Sequence, residues 1–393
     1  MLLVLLSSGS AFMLSFFLGV FLVHALGIVL LSWGWRRADR WAPLSSASGE
    51  SLPEGPAHPR PPISLVMALR DEADRLPDVL AALDAQTHPD AEIVLVDDAS
   101  TDGTAAHLQA WSSDRSHVRL VRITDPQPPR KKHALTKGIE AASHNLLAFT
   151  DADCTPPPAW LARLAEAHAA TERETVLVGY SPMTGRGLLG AWARYETFVA
   201  GVYAVAAIGL NQPYLAVGRN LSYPRSVFEE VGGFNNILLS GDDDLFVQDA
   251  HHRNAADVRA VLHPETVVPT AAPDTWAAWI HQKRRHVSAG RQYHWQPSTA
   301  LTLINGAGLV LWGAPLAVGM TGIGLLAAGL LLRQVLLGPA ADRLHETALL
   351  ALYPLGEGAY ALYHLLLVPF GLLRPPSHWS SAWSSATAHD RSS

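Results

Sequence analysis

The sequence predicts an α/β protein, a mostly parallel central sheet covered by helices, joined to transmembrane α-helices. Three observations carry this. Apolar runs of strand length alternate with stretches whose apolar residues recur at helical spacing, the pattern of a sheet covered on both faces. Two of these runs end abruptly in carboxylates, Asp97 with Asp98 and Asp151 with Asp153. Two long regions, up to Trp35 and again over 298–332, contain no Asp, Glu, Lys or Arg.

Composition agrees with a chain that lies partly in lipid. Charged residues make up 16% of the 393, where soluble domains carry about a quarter. The formal charge of −6 argues against nucleic acid, whose binders present a basic surface. The single cysteine, Cys154, excludes an intrachain disulfide and suits a reducing compartment.

Residues 1–41 read as a membrane anchor, because the apolar stretch 11–35 exceeds the roughly 20 residues that a crossing needs. A cleaved signal peptide fits less well: early charge is missing, the stretch is long, and no clear small-residue cleavage site follows. Arg36, Arg37 and Arg40 come next, so the positive-inside rule places the following portion in the cytoplasm, at a cell inner membrane. Residues 42–62 are rich in Pro, Ser and Gly without periodicity and read as a linker.

A folded portion over 63–297 follows. "ISLVMAL" is a buried strand and "RLPDVLAALDAQ" a helix. "EIVLVDDASTDGT" is a strand ending in Asp97 and Asp98, with a helix from near Thr104. "VRLVRI" is a third strand, and "KKHALTKGIEAAS" a helix leading into "LLAFTDADC". Two aspartates one residue apart can hold Mn²⁺ or Mg²⁺ through oxygen and leave most of its shell to a substrate's phosphates. Asp151 and Asp153 alone would also suit a polar turn, as Asp97 and Asp98 would suit a helix cap. In a parallel sheet both pairs lie along one edge, where open α/β sheets bind ligands.

Further on, "RGLLGAWARYETFVAGVYAVAAIGL" is apolar with few charges; it fits either a segment against the bilayer that admits a lipid or a core helix. "SGDDDLFVQDA" supplies Asp242, Asp243 and Asp244. Their mutual repulsion should make at least one hold its proton tightly, as suits a general base, although a capped helix start accounts for them too. "HQKRRHVSAGRQYHW" is basic, and Lys283, Arg284 and Arg291 suit a helix facing anionic headgroups. About three crossings are expected over 298–373. Two are short, with a turn near 313–322, and a third spans 347–373, whose Glu357 and His364 should face protein, water or a substrate path. Residues 374–393 form a polar tail.

The order "ISLVMALRDEADRL", "VLVDDASTDGT", "KKHALTKGI", "FTDADC" resembles the nucleotide-binding half of family 2 glycosyltransferases with the GT-A fold, over residues 63–295. That family usually opens with Pro-x-x-Asn-Glu after the first strand; here Ala68, Asp71 and Glu72 stand there, and only the Glu is retained. The resemblance implies that Glu72, Asp98 and Asp97 contact the donor nucleotide, and that Lys132, with Lys131 second, lies near its diphosphate. A solvated charge run accounts for these lysines equally. Asp151 would position ribose and sugar beside the metal, and Asp153 would bind the metal directly. "GRNLSYPRSVFEEVGGF" is similar to the segment shaping the sugar and acceptor pocket, with Gly218, Arg219 and Asn220 nearest the substrate. The 242–244 run stands where the family carries its base; the spacing to Leu245 leaves the register open, with Asp243 preferred, then Asp244, then Asp242. Gln282 and Arg285 match Gln-x-x-Arg-Trp, with His286 in place of Trp, and Arg285 would pair with the leaving diphosphate.

The resulting expectation is a membrane-bound, metal-dependent, inverting glycosyltransferase of the hexosyltransferase type. It would move one sugar from a nucleotide sugar, expected to be a UDP-sugar, to the hydroxyl or phosphate of a lipid acceptor. A processive polysaccharide synthase is the alternative, disfavoured by His286 and by the few crossings available for a channel. A non-catalytic nucleotide-sugar-binding membrane protein is the alternative from another class.

Overall fold

The computed structural model describes residues 2–41, 60–235 and 242–373; most of the expected linker (42–59) and the polar tail (374–393) lie outside the described residues. The chain begins with α1 (Leu2–Trp41). Strict alternation follows through β1 (Ile63–Leu69), α2 (Leu76–Asp84), β2 (Ala91–Asp98), α3 (Thr104–Ser112), β3 (Val118–Ile123), α4 (Arg130–Ala141) and β4 (Leu146–Phe149). Then come α5 (Trp160–Ala169), β5 (Thr175–Gly179), β6 (Met183–Thr184), α6 (Gly187–Gly209), β7 (Leu221–Pro224) and α7 (Arg225–Val231). Finally α8 (Asp244–His252), β8 (Asp257–Val261), β9 (Thr270–Ala271) and α9 (Trp276–Ala289) lead to α10 (Trp295–Leu311), α11 (Ala314–Arg343) and α12 (Leu355–Leu373).

Seven strands form one sheet in the order β3-β2-β1-β4-β7-β5-β8, and β6 pairs with β9 separately. The sheet is mostly parallel, as expected; β7 alone runs against β4 and β5. β1 sits inside it, and Ile63, Leu65, Val66 and Met67 are fully buried, each such side chain stabilising by roughly 1.5–3 kcal/mol. Because side chains alternate across a strand, Val66 joins the core beneath α4 and α6 while Leu65 and Met67 join the core beneath α2 and α5. The edge strand β3 exposes Arg119 and Arg122, charges that discourage pairing with another chain.

The apolar α6 is a core helix. Most of its residues from Ala193 onward are buried between the sheet and α1. The two helices cross at glycines: a Cβ on Gly209 would lie 1.8 Å from the Gly34 carbonyl oxygen, and one on Gly34 would lie 2.2 Å from the Ala206 oxygen. Only the missing side chains let the backbones meet this closely.

Two described helices are long and apolar enough to cross a membrane, residues 11–40 of α1 and the whole of α11. α10 stops before Gly313, and α11 is broken at Val318 and Gly319, both inside the expected turn region, then continues past Arg333 to Arg343. Glu357 faces protein: it is 3% exposed, pairs with Arg333 at 2.8 Å and accepts from Tyr195 Oη at 2.6 Å. Glu346 ties the helices to the sheet, accepting from Arg194 at 2.8 Å and from Tyr180 Oη at 3.1 Å.

Candidate active site

Parallel pairing aligns three strand ends. Leu69 of β1 stands opposite Asp97 of β2, and β4 pairs with the other side of β1, so residues 70–72, 97–98 and 150–153 leave the sheet on one edge. Asp71 ties two of these loops together: its Oδ1 accepts from Thr101 N at 2.6 Å, and its N–H donates to Ser100 Oγ at 3.1 Å. Its φ of +53° explains why an Asp can replace the family's Asn, both being among the residues that tolerate this region. Glu72 N donates to Thr104 Oγ1 at 2.8 Å. Burial, then the negative charges of Asp153, Asp151 and Asp102, outweigh the nearby Arg75 and push the Glu72 carboxyl up to about 7.

Asp98 and Asp97 differ in role. Asp98 lines the cavity at the strand ends and accepts from Arg130 Nε at 3.0 Å. Asp97 points into the loop, where its Oδ1 accepts from Ser100 N at 3.2 Å, and it does not line the cavity. The lysines also separate. Lys132, the one preferred from sequence, turns into the protein and donates to the Asn235 carbonyl at 2.5 Å. Lys131 faces the site, 3.0 Å from Asp151 Oδ1 and 3.2 Å from Asp242 Oδ2. Burial lowers the affinity of Lys131 for its proton, but Asp151 and Asp242 outweigh it and hold the ammonium firmly charged.

The three adjacent aspartates are not equivalent. Asp243 caps α8: its Oδ1 accepts from Asp244 N at 2.8 Å and its Oδ2 from Gly218 N at 2.9 Å. Asp244 accepts from Leu245 N at 2.9 Å and, through its other oxygen, from Tyr293 Oη. Burial, then repulsion from the preceding carboxylate, raises both above the usual carboxylate range. Asp242 also loses solvation, but Lys131 outweighs that loss and lowers it. Of the three, which all line the cavity, Asp242 is the one held toward the strand-end carboxylates by Lys131, while Asp243, the one preferred from sequence, and Asp244 also accept from backbone N–H groups.

Asn220 is structural. It is fully buried, accepts from Trp160 Nε1 at 3.0 Å and donates to Tyr180 O at 2.8 Å and Thr266 O at 2.7 Å, and it does not line the cavity. Gly218 and Arg219 do line it; Arg219 donates to Ser181 Oγ at 2.6 Å and to Ser181 O at 3.1 Å. From α9, Gln282, Arg285 and His286 reach the same space. Burial lowers Arg285, and the charges of Asp242, Asp151, Asp243 and Asp153 oppose that without reversing it. Sequence reasoning did not single out Arg130 or Tyr293. Arg130 opens α4 directly before the lysines, whereas Tyr293 meets Asp244 across 49 residues with no local signal.

Apart from Asp97, Lys132 and Asn220, the residues expected at the site line one cavity of about 1890 Å³ that continues from the strand ends to α10 and α12. No group of three or more His, Cys, Asp or Glu among the described residues is arranged to hold a metal by itself. Asp153 nevertheless fits a metal that shares its shell with a ligand: it lines the cavity, makes no ion pair among the described residues, and accepts only a 3.4 Å contact from Cys154 Sγ. Glu72, raised chiefly by burial, also feels the negative charges of Asp153 and Asp151, which a dication there would relieve.

Residues 64–231 match the family model described as glycosyl transferase family 2. Glycosyltransferase AglE of Haloferax volcanii is 30% identical over 185 residues, covering 47% of this chain and 59% of that protein. A pre-mycofactocin glycosyltransferase of Mycobacterium tuberculosis is 25% identical over 296 residues, 69% of this chain and 57% of that protein. The chain thus spans less than two thirds of the length of these curated relatives. In fold it is similar to the mannosyltransferase PcManGT of Pyrobaculum calidifontis, solved with GDP-Man and Mn²⁺, with a TM-score of 0.54, 22% identity, and coverage of 92% of this chain and 99% of that one. Sheet order, strand-end carboxylates and these matches agree: the chain has a GT-A fold, and its residues 64–231 are similar to glycosyl transferase family 2.

Proposed function

We propose that the protein is a membrane-bound inverting glycosyltransferase that moves one sugar from a nucleotide sugar to a lipid acceptor. The observation that carries this reading is the single cavity that joins the strand-end carboxylates to the apolar helices α10 and α12. Asp98 and Arg130 are suited to the nucleoside, and Arg219 and Arg285 to its diphosphate. Asp153 with Asp151 would hold Mn²⁺ or Mg²⁺, and the metal when bound would neutralise the charge that develops on the departing diphosphate. In this reading Asp242 takes the proton of the acceptor hydroxyl as its oxygen bonds to the anomeric carbon. The bond from that carbon to the diphosphate breaks, and the nucleoside diphosphate keeps the electron pair. Lys131, between Asp151 and Asp242, keeps the two carboxylates together and Asp242 ionised.

Membrane attachment fits the surface of the helices. Leu316 and Met320 of α11, Leu22 and Leu26 of α1, and Leu355 and Leu366 of α12 are exposed large apolar side chains, costly in water and natural in lipid. We place the anchor at 1–41, the catalytic unit at 63–297 and the remaining crossings within 298–373, with the catalytic unit on the cytoplasmic side.

Incubating membranes that contain the protein with labelled UDP- and GDP-sugars, then extracting with organic solvent, tests the reading. Label in a solvent-soluble product is expected. Label confined to insoluble high-molecular-weight material would favour a processive synthase. Nucleotide binding without any transfer or hydrolysis would favour a non-catalytic binder.

A further inference from the structure

The cavity has a second arm, away from the carboxylates, where α6 faces α10 and α12. Leu301 and Leu309 of α10 and Val368 and Leu372 of α12 make its apolar wall. Set into it are three buried polar atoms with no hydrogen-bond partner among the described residues: Thr197 Oγ1 and Tyr203 Oη on α6, and Asn305 Oδ1 on α10. Tyr203 is 1% exposed and Thr197 9%. Buried polar atoms are almost always paired, so three orphans lining one space mark a place where a ligand supplies the partners.

The charges nearby are already spent. Lys283, on the cavity wall, is in a buried ion pair with Glu196, and Arg333, whose guanidinium lies 5.3 Å from the Tyr203 ring centroid, pairs with Glu357 at 2.8 Å. Toward the catalytic end, Lys131 is engaged by both Asp151 and Asp242. In the reading above Arg219 and Arg285 are taken by the donor's diphosphate and Asp151 by the metal, so an anionic acceptor would enter an arm whose Lys283 and Arg333 are already paired and approach Asp242 against its charge. A neutral hydroxyl meets no such opposition, and it can donate to the Asn305 oxygen or exchange hydrogen bonds with Tyr203 and Thr197.

Resting on the glycosyl-transfer reading above, we infer that this arm is the acceptor site and that its ligand is a neutral lipid alcohol rather than a polyprenyl phosphate. The chain of the lipid lies along the wall of α10 and α12, a polar group on it is met by Tyr203, Thr197 and Asn305, and a hydroxyl reaches Asp242. Its oxygen forms the new bond to the anomeric carbon, and its proton passes to Asp242.

The test uses the purified full-length chain in detergent, a labelled nucleotide sugar, and a total lipid extract separated by anion exchange into neutral and acidic fractions. Label is expected in a neutral product that survives mild acid, as glycosides of alcohols do. Label in an acidic, acid-labile product, the behaviour of a glycosyl phosphodiester, would overturn the inference while leaving glycosyl transfer standing. Label in no lipid at all would overturn both. Tyr203→Phe and Asn305→Leu are each expected to raise the acceptor KM by roughly tenfold, the loss of about one hydrogen bond, without lowering the melting temperature. A lower melting temperature with an unchanged acceptor KM would make these residues structural and sink the assignment.

Discussion

At the scale of single residues, the three neighbouring aspartates differ in what each oxygen already does. Asp243 serves α8 and Gly218 through backbone N–H groups, while Asp242 is turned to Lys131 and the strand ends. Asp242→Asn is therefore expected to cut kcat by about 10²–10⁴-fold at an unchanged melting temperature. Asp243→Ala should instead cost about 1 kcal/mol of stability, the loss of a helix cap. Steady-state kinetics and thermal denaturation of the two variants separate these outcomes. Glu72 permits a pH prediction. Its carboxyl is raised from 4.5 to about 7, chiefly by burial. The folded protein thus keeps a proton that the unfolded chain has released, so metal-free protein should lose stability as pH rises from about 4.5 to about 7 and level off above. Denaturant titrations in chelator should show this slope in the wild type and a shallower one in Glu72→Gln. An equal slope in both would remove Glu72 as its source. The sequence could suggest lysines at 131 and 132 but not which one faces the site. Successive residues on a helix point about 100° apart, and only the packing of α4 on β1 and β2 sets its phase.

At the scale of elements, the strands were legible because an apolar run such as "ISLVMAL" has few other uses, and the observed β1 has those bounds. The antiparallel β7 was hidden, since "LSYP" is four residues with no strand pattern of its own. The α6 segment was ambiguous because a core helix and a bilayer-facing one share a composition; its burial and the crossing of its Gly209 with Gly34 of α1 resolve it. Gly209→Leu would drive a side chain into the Gly34 carbonyl and part the helices. A cost of about 1–3 kcal/mol, the range for overpacking, is expected, read as a lower melting temperature in detergent. An unchanged melting temperature would mean that α1 does not dock there.

At the scale of the whole molecule, a chain short of charge places several charged groups where its helices meet its sheet. Arg333 and Glu357 are both buried and pair between α11 and α12. Arg333→Met would leave Glu357 buried without its cation and should destabilise by about 3–5 kcal/mol, whereas Arg333→Met with Glu357→Gln should recover much of that. Thermal denaturation of the single and double variants tests the pair. Long-range pairings of this kind carry no sequence signal, which is why the carboxylates at the strand ends could be named from the sequence and the ion pair that joins α11 to α12 could not. Sugar transfer at the strand-end carboxylates is open to a single titration. Nucleoside diphosphate release is followed as Mn²⁺ is added to the wild type and to Asp153→Asn, which changes charge with little change of volume. Saturable activation of the wild type is expected, with a loss of at least about a hundredfold in a variant that still folds. Equal turnover and equal metal affinity in both proteins would contradict it.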